Sequence, residues 1–216
     1  MAEIEAEMMR RTGDFSLVPL QCAACGAGLE AEGMDIAFYC SACRNAFRFD
    51  PESSQMIPLR VDFVSVSDVE GVVFKPFWAI PAEVHIEGRV ANPSGFLGIL
   101  GSLLERGGSG IGMARAVFAV PAFKLDIRRA IELSRRYTAE PPEIGERLGK
   151  RLVGGCFDID DAQKIVHYAV IATEVEKRDV LTDLKYRIDF AEPRLLAVPF
   201  VSEAGVLKDA RFHLVV

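Results

Sequence analysis

Cys22-Ala23-Ala24-Cys25 is followed, after fourteen residues, by Cys40-Ser41-Ala42-Cys43. Each Cys-x-x-Cys turn aims two thiolates at one point, and two such turns complete a closed tetrahedral sulfur site of the kind that holds zinc. Gly26 relieves the bend after the first pair. Arg44-Asn45 stands in its place after the second, where Asn45 is expected to take the left-handed conformation. Between the pairs, Leu29-Glu30-Ala31, Glu32-Gly33 and Met34 to Tyr39, where Ile36 and Phe38 alternate with Ala37 and Tyr39, predict a short hairpin carrying the second pair at its end; after Cys43, Ala46-Phe47-Arg48-Phe49 resumes an alternating strand.

This stretch, residues 18 to 50, resembles the zinc-ribbon family, which includes ribbons of transcription factors and of many small bacterial proteins. The resemblance implies that Cys22, Cys25, Cys40 and Cys43 are the ligands of one structural Zn2+. Rubredoxin-type iron sites use similar turns, but their pairs lie much further apart. Two disulfides would instead require an oxidising compartment. Four thiolates leave a metal no open position for water or substrate, so its task is to hold together a segment too small to fold on its own core. Extended through Lys75-Pro76-Phe77-Trp78 and Val120-Pro121-Ala122-Phe123, residues 15 to 135 resemble a group of bacterial zinc-ribbon proteins without an assigned activity.

Half of the 216 residues are apolar, and the formal charge is −6. The acidic start, Met1 to Glu7, lacks a basic region and a long apolar run, so no signal peptide is read there and a cytoplasmic protein is expected. The longest apolar stretch, Phe96 to Leu104, has nine residues, well short of the ~20 needed to span a bilayer. Residues 1 to 52 carry nine acidic and four basic side chains, and a zinc-bound thiolate set adds further negative charge. Phosphate binding needs the opposite sign, so the acidic ribbon counts against nucleic acid.

Along the chain, residues 2 to 12 predict a helical arm ended by Gly13, and Asp50-Pro51-Glu52-Ser53-Ser54 marks a boundary. Met56 to Val66 reads as one strand. Val72 to Ile80 and Ala82 to Arg89 read as neighbouring strands of an antiparallel sheet with one buried and one wet face. Three times, at Pro76-Phe77, Pro121-Ala122-Phe123 and Pro199-Phe200, a proline and an aromatic residue share an apolar run. Each proline should mark a strand end, an edge or a bulge, and each ring should turn into the core. Pro93 to Gly112 holds seven glycines without the spacing of a phosphate-binding loop; it reads as a loop whose Phe96, Leu97, Leu100, Leu103 and Leu104 need cover from the core, a partner or a membrane surface. A helix is expected over Asp126 to Thr138, burying Ile127, Ala130, Ile131, Ser134 and Tyr137. A second short helix is expected around Arg147 to Arg151. A longer one, capped by Asp158, should bury Ala162, Ile165, Val166, Ala169, Val170 and Thr173. Three strands fill the tail from Thr182, separated by Glu192-Pro193 and Glu203-Ala204-Gly205.

The expected fold class is therefore α+β: a helical arm (1–14), a zinc ribbon (15–52), and a mostly antiparallel sheet domain with two or three helices (53–216). Residues 124 to 151 carry eight basic against five acidic side chains, including Arg128, Arg129, Arg135 and Arg136 on one helix. His85, His167 and His213 are isolated in sequence, and no hydrolase, metalloprotease or nucleotide-binding motif is present. Cys156 precedes a helix start, where its pKa could be depressed, but His167 lies more than two turns further on, so the pair is not read as catalytic. No catalytic residue is assigned. The function expected is a zinc-stapled interaction or adaptor protein that docks another protein through Phe96 to Leu104 or the α-helical arginines. The alternatives are a nucleic-acid binder using residues 124 to 151, and an enzyme of unrecognised type.

Overall fold

The computed structural model describes residues 20–50, 53–67, 71–93, 112–175, 179–203 and 205–216. The N-terminal arm and the apolar Phe96 to Leu104 stretch lie outside the described residues.

Among the described residues, ten strands and two helices form an α+β fold with two sheets. The smaller sheet is antiparallel and contains β1 (Ala37–Tyr39), β2 (Ala46–Asp50) and β3 (Gln55–Leu59). The larger has seven strands: β4 (Val61–Val64), β5 (Val72–Pro93), β6 (Gly112–Pro121), β7 (Ile144–Gly145), β8 (Asp179–Phe190), β9 (Arg194–Glu203) and β10 (Val206–Asp209). Their order is β6-β5-β9-β4-β7, with β10 on β9 and β8 on β5; only β4 and β9 run parallel. The stretch read as one strand from Met56 to Val66 thus divides at Arg60, with β3 joining the small sheet and β4 the large one.

The two strands read from Val72 to Arg89 are instead one strand of 22 residues, β5, although it contains Pro76 and Pro81. Neither proline breaks a ladder. The Pro76 carbonyl accepts from Ala122 N (2.9 Å) on the edge facing β6, where the β5–β6 ladder ends at Phe77 and Pro121, so no partner requires a donor from Pro76. On the opposite edge β5 pairs with β9 as far as Ala79 and with β8 from Ala82, and Pro81 falls in the gap between the two. Pro199 likewise sits just past the end of the β9–β10 ladder. Each repeated proline marks the end of a ladder on one edge only; Pro76 and Pro199 lie inside the β5–β9 ladder, mid-strand, so the expectation of a strand end, an edge or a bulge does not hold for these two. The three associated rings meet in the core: Phe77, Phe123 and Phe200 lie 5.7 to 6.2 Å apart between centroids, within the range of favourable aromatic pairs.

The expected alternation of a buried and a wet face applies only to the outer half of β5. Phe77, Trp78, Ala79 and Ile80 are all buried, because both faces of the sheet are covered there. Trp78 and Ile80 face a cluster with Ala162, Ile165 and Val166, whereas Phe77 and Ala79 face a second cluster with Leu133, Tyr137, Leu196 and Phe200. The wet face begins at Glu83, His85 and Glu87, all at least partly exposed.

Helix α1 (Ile127–Ala139) is capped by Asp126, whose Oδ1 accepts from Arg128 N at 3.0 Å. It buries Ala130, Leu133, Ser134 and Tyr137, while Ile127 is half exposed, so Leu133 replaces Ile127 in the expected face. Helix α2 (Ile159–Val175) is capped by Asp158 through Asp161 N at 2.7 Å. Its buried side matches the expected one from Ala162 to Val170. Beyond that Glu174 is buried and Thr173 is exposed, because Arg89 of β5 reaches Glu174 Oε2 at 2.9 Å. The short helix expected around Arg147 to Arg151 is absent. After Pro141-Pro142 the chain is extended, pairs with β4 at Ile144–Gly145, and continues as an irregular loop to Arg151.

Candidate metal centre

One sulfur from each of Cys22, Cys25, Cys40 and Cys43 lies within 4.8 Å of every other. The Cys22–Cys43 and Cys25–Cys40 sulfurs are 3.5 and 3.6 Å apart. A disulfide would need about 2 Å, whereas four sulfurs around an ion at ~2.3 Å would sit about 3.8 Å apart. The cluster therefore has the dimensions of a tetrahedral metal site. All five cysteines are free thiols.

The two turns that carry the sulfurs share one hydrogen-bond pattern. Gly26 N donates to Cys22 O (2.9 Å) and Cys22 N to Ala27 O (2.8 Å); Arg44 N donates to Cys40 O (2.7 Å) and Cys40 N to Asn45 O (2.8 Å). Gly26 takes φ +73°, and its counterpart Arg44 takes φ +61°. The left-handed residue of the second turn is thus Arg44 rather than Asn45. Asn45 contributes differently, with its Nδ2 donating to Cys43 Sγ at 3.4 Å, the kind of contact that orients a metal-bound thiolate. The thiols hold their protons unequally. Cys43 is drawn down to about 7: desolvation opposes the shift, and the Asn45 backbone and the other sulfurs outweigh it. Cys25 is pushed up to about 12 against the pull of the Ala27 backbone, by desolvation and by the same sulfurs. A divalent ion that displaces the protons removes this conflict.

Among the described residues, only Cys22, Cys40 and Phe47 are buried in the cluster around the sulfurs, too little to hold the segment by itself. The rest of the module leans on the large sheet. Ala37, Tyr39 and Ala46 belong to the main core, where the Tyr39 ring lies 5.2 Å from Phe63. Ile36 N and Ala37 N both donate to Gly155 O (2.7 and 3.0 Å), Tyr39 OH donates to Leu148 O (2.6 Å), and Asp35 Oδ2 accepts from Gly154 N (2.9 Å). The Gly154-Gly155 pair is therefore the seat of the cysteine module. Gly154 takes φ +94°, and a Cβ on Gly155 would come within 3.0 Å of Ala37 Cβ and 3.1 Å of Ala37 O. Gly155→Ala is expected to destabilise the protein by about 1–3 kcal/mol through this overlap. Gly28→Ala, with nothing within 4 Å of its added methyl, should change stability far less. Urea denaturation of the two variants checks the difference.

The other sequence-level candidates do not converge on a second centre. Burial pushes the Cys156 thiol up, aided by the charges of Asp35 and Glu32, which is opposite to what an activated nucleophile needs. His167 Nδ1 meets Tyr186 OH at 3.2 Å, and His85 lies 3.1 Å from Asp189. Arg128, Arg129, Arg135 and Arg136 share the outward side of α1, but Arg129 holds Val215 O (2.9 Å), Arg136 contacts Glu132 (3.4 Å), and Arg135 reaches Thr173 Oγ1 (3.3 Å). Two clefts border the large sheet. One, of about 710 Å³, is walled by Val117, Ala119, Pro141, Ile144 and Leu196; the other, of about 510 Å³, lies between β5, β6 and the helices, walled by Val84, Ile86, Phe118 and Val170. The charges on the first rim are already matched, Arg115 with Glu83 and Arg194 with Asp62, both at 2.9 Å. No helix of the described residues is long and apolar enough to cross a membrane. The chain matches no family model, no curated protein and no solved structure.

Proposed function

We propose that this chain is a zinc-binding interaction protein of the cytoplasm, an adaptor or scaffold in which one structural Zn2+, held by Cys22, Cys25, Cys40 and Cys43, staples a zinc ribbon onto an α+β domain. The all-sulfur donor set favours zinc and leaves no position for a substrate, which supports a structural role. In this reading the chain is organised as arm (1–14), ribbon (15–52) and domain (53–216), with β3 lending the ribbon a third strand from beyond the boundary.

The observation that carries the interaction role is the solvent side of α2. Tyr168, Ile171 and Val175, spaced three and four residues apart on the side opposite the buried stripe, are 54%, 37% and 56% exposed. A water-facing helix side ordinarily carries polar residues, so three large apolar ones in line suit a contact with another protein. Tyr168→Glu with Ile171→Glu should leave the melting temperature nearly unchanged. It should also remove a defined set of proteins from those that co-purify with the tagged chain in its native cell, as read by quantitative mass spectrometry. Recovery of the same set with the double variant would reject α2 as the docking side.

A further inference from the structure

A divalent ion bound by four thiolates leaves the centre with a net charge of about −2. The segment between the cysteine turns, in which Leu29-Glu30-Ala31 forms no strand and the expected hairpin is therefore absent, adds Glu30, Glu32 and Asp35. Glu30 is matched by Arg151 at 2.7 Å, and Lys75 Nζ lies 3.9 Å from Glu32. Three cations, Arg44, Arg147 and Lys150, have no carboxylate partner among the described residues and belong to the two segments that meet at the second cysteine turn. Arg44 follows Cys43 directly. The other two belong to the irregular loop that replaces the expected helix, and this loop lies on the second cysteine turn. Tyr39 OH holds Leu148 O at 2.6 Å, one residue before the Cys40–Cys43 turn. Gly149 packs so near Ser41, inside that turn, that a Cβ would sit 3.3 Å from Ser41 O. The Arg151–Glu30 pair fastens the end of the loop to the segment that follows the first turn.

We propose that loop 147–151 is an electrostatic clamp on the metal centre: Arg147 and Lys150, with Arg44, balance the charge of the metal-thiolate set, and Gly149 permits the close approach. The inference rests on the reading of the four cysteines as a metal site. It assigns part of the basic 124–151 region to the protein's own metal rather than to phosphate. An exposed cation contributes little when its partner is a single solvated carboxylate. Two cations beside a compact, partly buried dianion act in the same direction, and their effect fades with salt.

The test is a competition titration of the full chain against a chromogenic chelator, with Zn2+ and with Co2+ as the visible probe. It compares the natural chain, Arg147→Gln/Lys150→Gln, and a control with the same charge change, Arg128→Gln/Lys185→Gln. The loop variant should bind metal about 5- to 10-fold more weakly at low ionic strength, and within about 2-fold of the natural chain near 1 M salt. The control should stay within about 2-fold at both. Unchanged affinity of the loop variant at low salt would overturn the clamp. So would a loss that high salt does not reduce, or an equal loss in the control. Failure of the natural chain to bind either ion would overturn the metal reading itself.

Discussion

Stripping the metal with a strong chelator, or replacing Cys40 by Ser, is expected to lower the melting temperature of the whole chain by roughly 10 °C or more. Zinc held by thiolates stabilises small ribbon-like units by many kcal/mol, and even a few of these shift the midpoint of a chain of this size by that amount. The effect should not stop at the cysteine turns. Cys40 is buried next to Tyr39, whose ring packs on Phe63, and Phe63 in turn lies 5.1 Å from Phe74 in the core that contains Trp78. Loss of the metal should therefore loosen β1 from Gly155 and reach the large sheet. Trp78 is the sole tryptophan, is 1% exposed and donates Nε1–H to Phe157 O at 2.8 Å, so its emission should move to longer wavelength as the metal is withdrawn. Elemental analysis should find one zinc per chain. A metal-free preparation with the same melting curve and the same emission would refute the structural role of the site.

Asp209→Ala should cost about 3–5 kcal/mol, as other losses of a fully engaged buried charge do. Asp209 is wholly buried; its Oδ1 accepts from Tyr137 OH (3.1 Å), Arg211 N (3.1 Å) and Phe212 N (2.8 Å), and its Oδ2 accepts from Leu214 N (2.7 Å). Truncation would leave three amides and a phenol without a partner and release the turn that lays Phe212, Leu214 and Val216 on the second core cluster. Chemical denaturation measures the loss directly. The same pair predicts an alkaline signature. Burial, reinforced by the Asp209 charge, pushes the Tyr137 hydroxyl well above its ordinary pKa. An unfolded tyrosine ionises near pH 10. The folded chain keeps the proton, so the contribution is complete below about pH 10 and is lost as the pH rises above it. Tyr137→Phe should lose about 1 kcal/mol at neutral pH and should flatten the decline in stability between pH 10 and 11. An unaltered decline would show that other groups set it.

How much of this protein was legible without coordinates follows from the range of each signal. The cysteine spacing, the start of α1 near Asp126, the Asp158 cap and the buried side of α2 as far as Val170 are local: a few neighbouring residues decide thiolate geometry and helix starts. These were readable, as were the α+β class and the strands of the tail. The left-handed residue after Cys43 was not, because Arg44 takes that conformation only where the turn's hydrogen bonds outweigh its steric cost.

What the tertiary structure alone decided depends on residues far apart in the chain. Whether Val72 to Pro93 is one strand or two turns on which neighbours stand at Pro76 and Pro81, and those neighbours come from residues 112 to 121 and 179 to 203. Residues 146 to 151 have the composition of a helix, but Pro141-Pro142 and pairing of Ile144–Gly145 with β4 draw them into a loop against Ser41. Asp209 becomes a buried hub only because Tyr137, 72 positions earlier, arrives opposite it. The docking of the cysteine module on Gly154-Gly155 is of the same kind: a glycine pair in sequence states only that a side chain is missing, and the fold determines what fills the space.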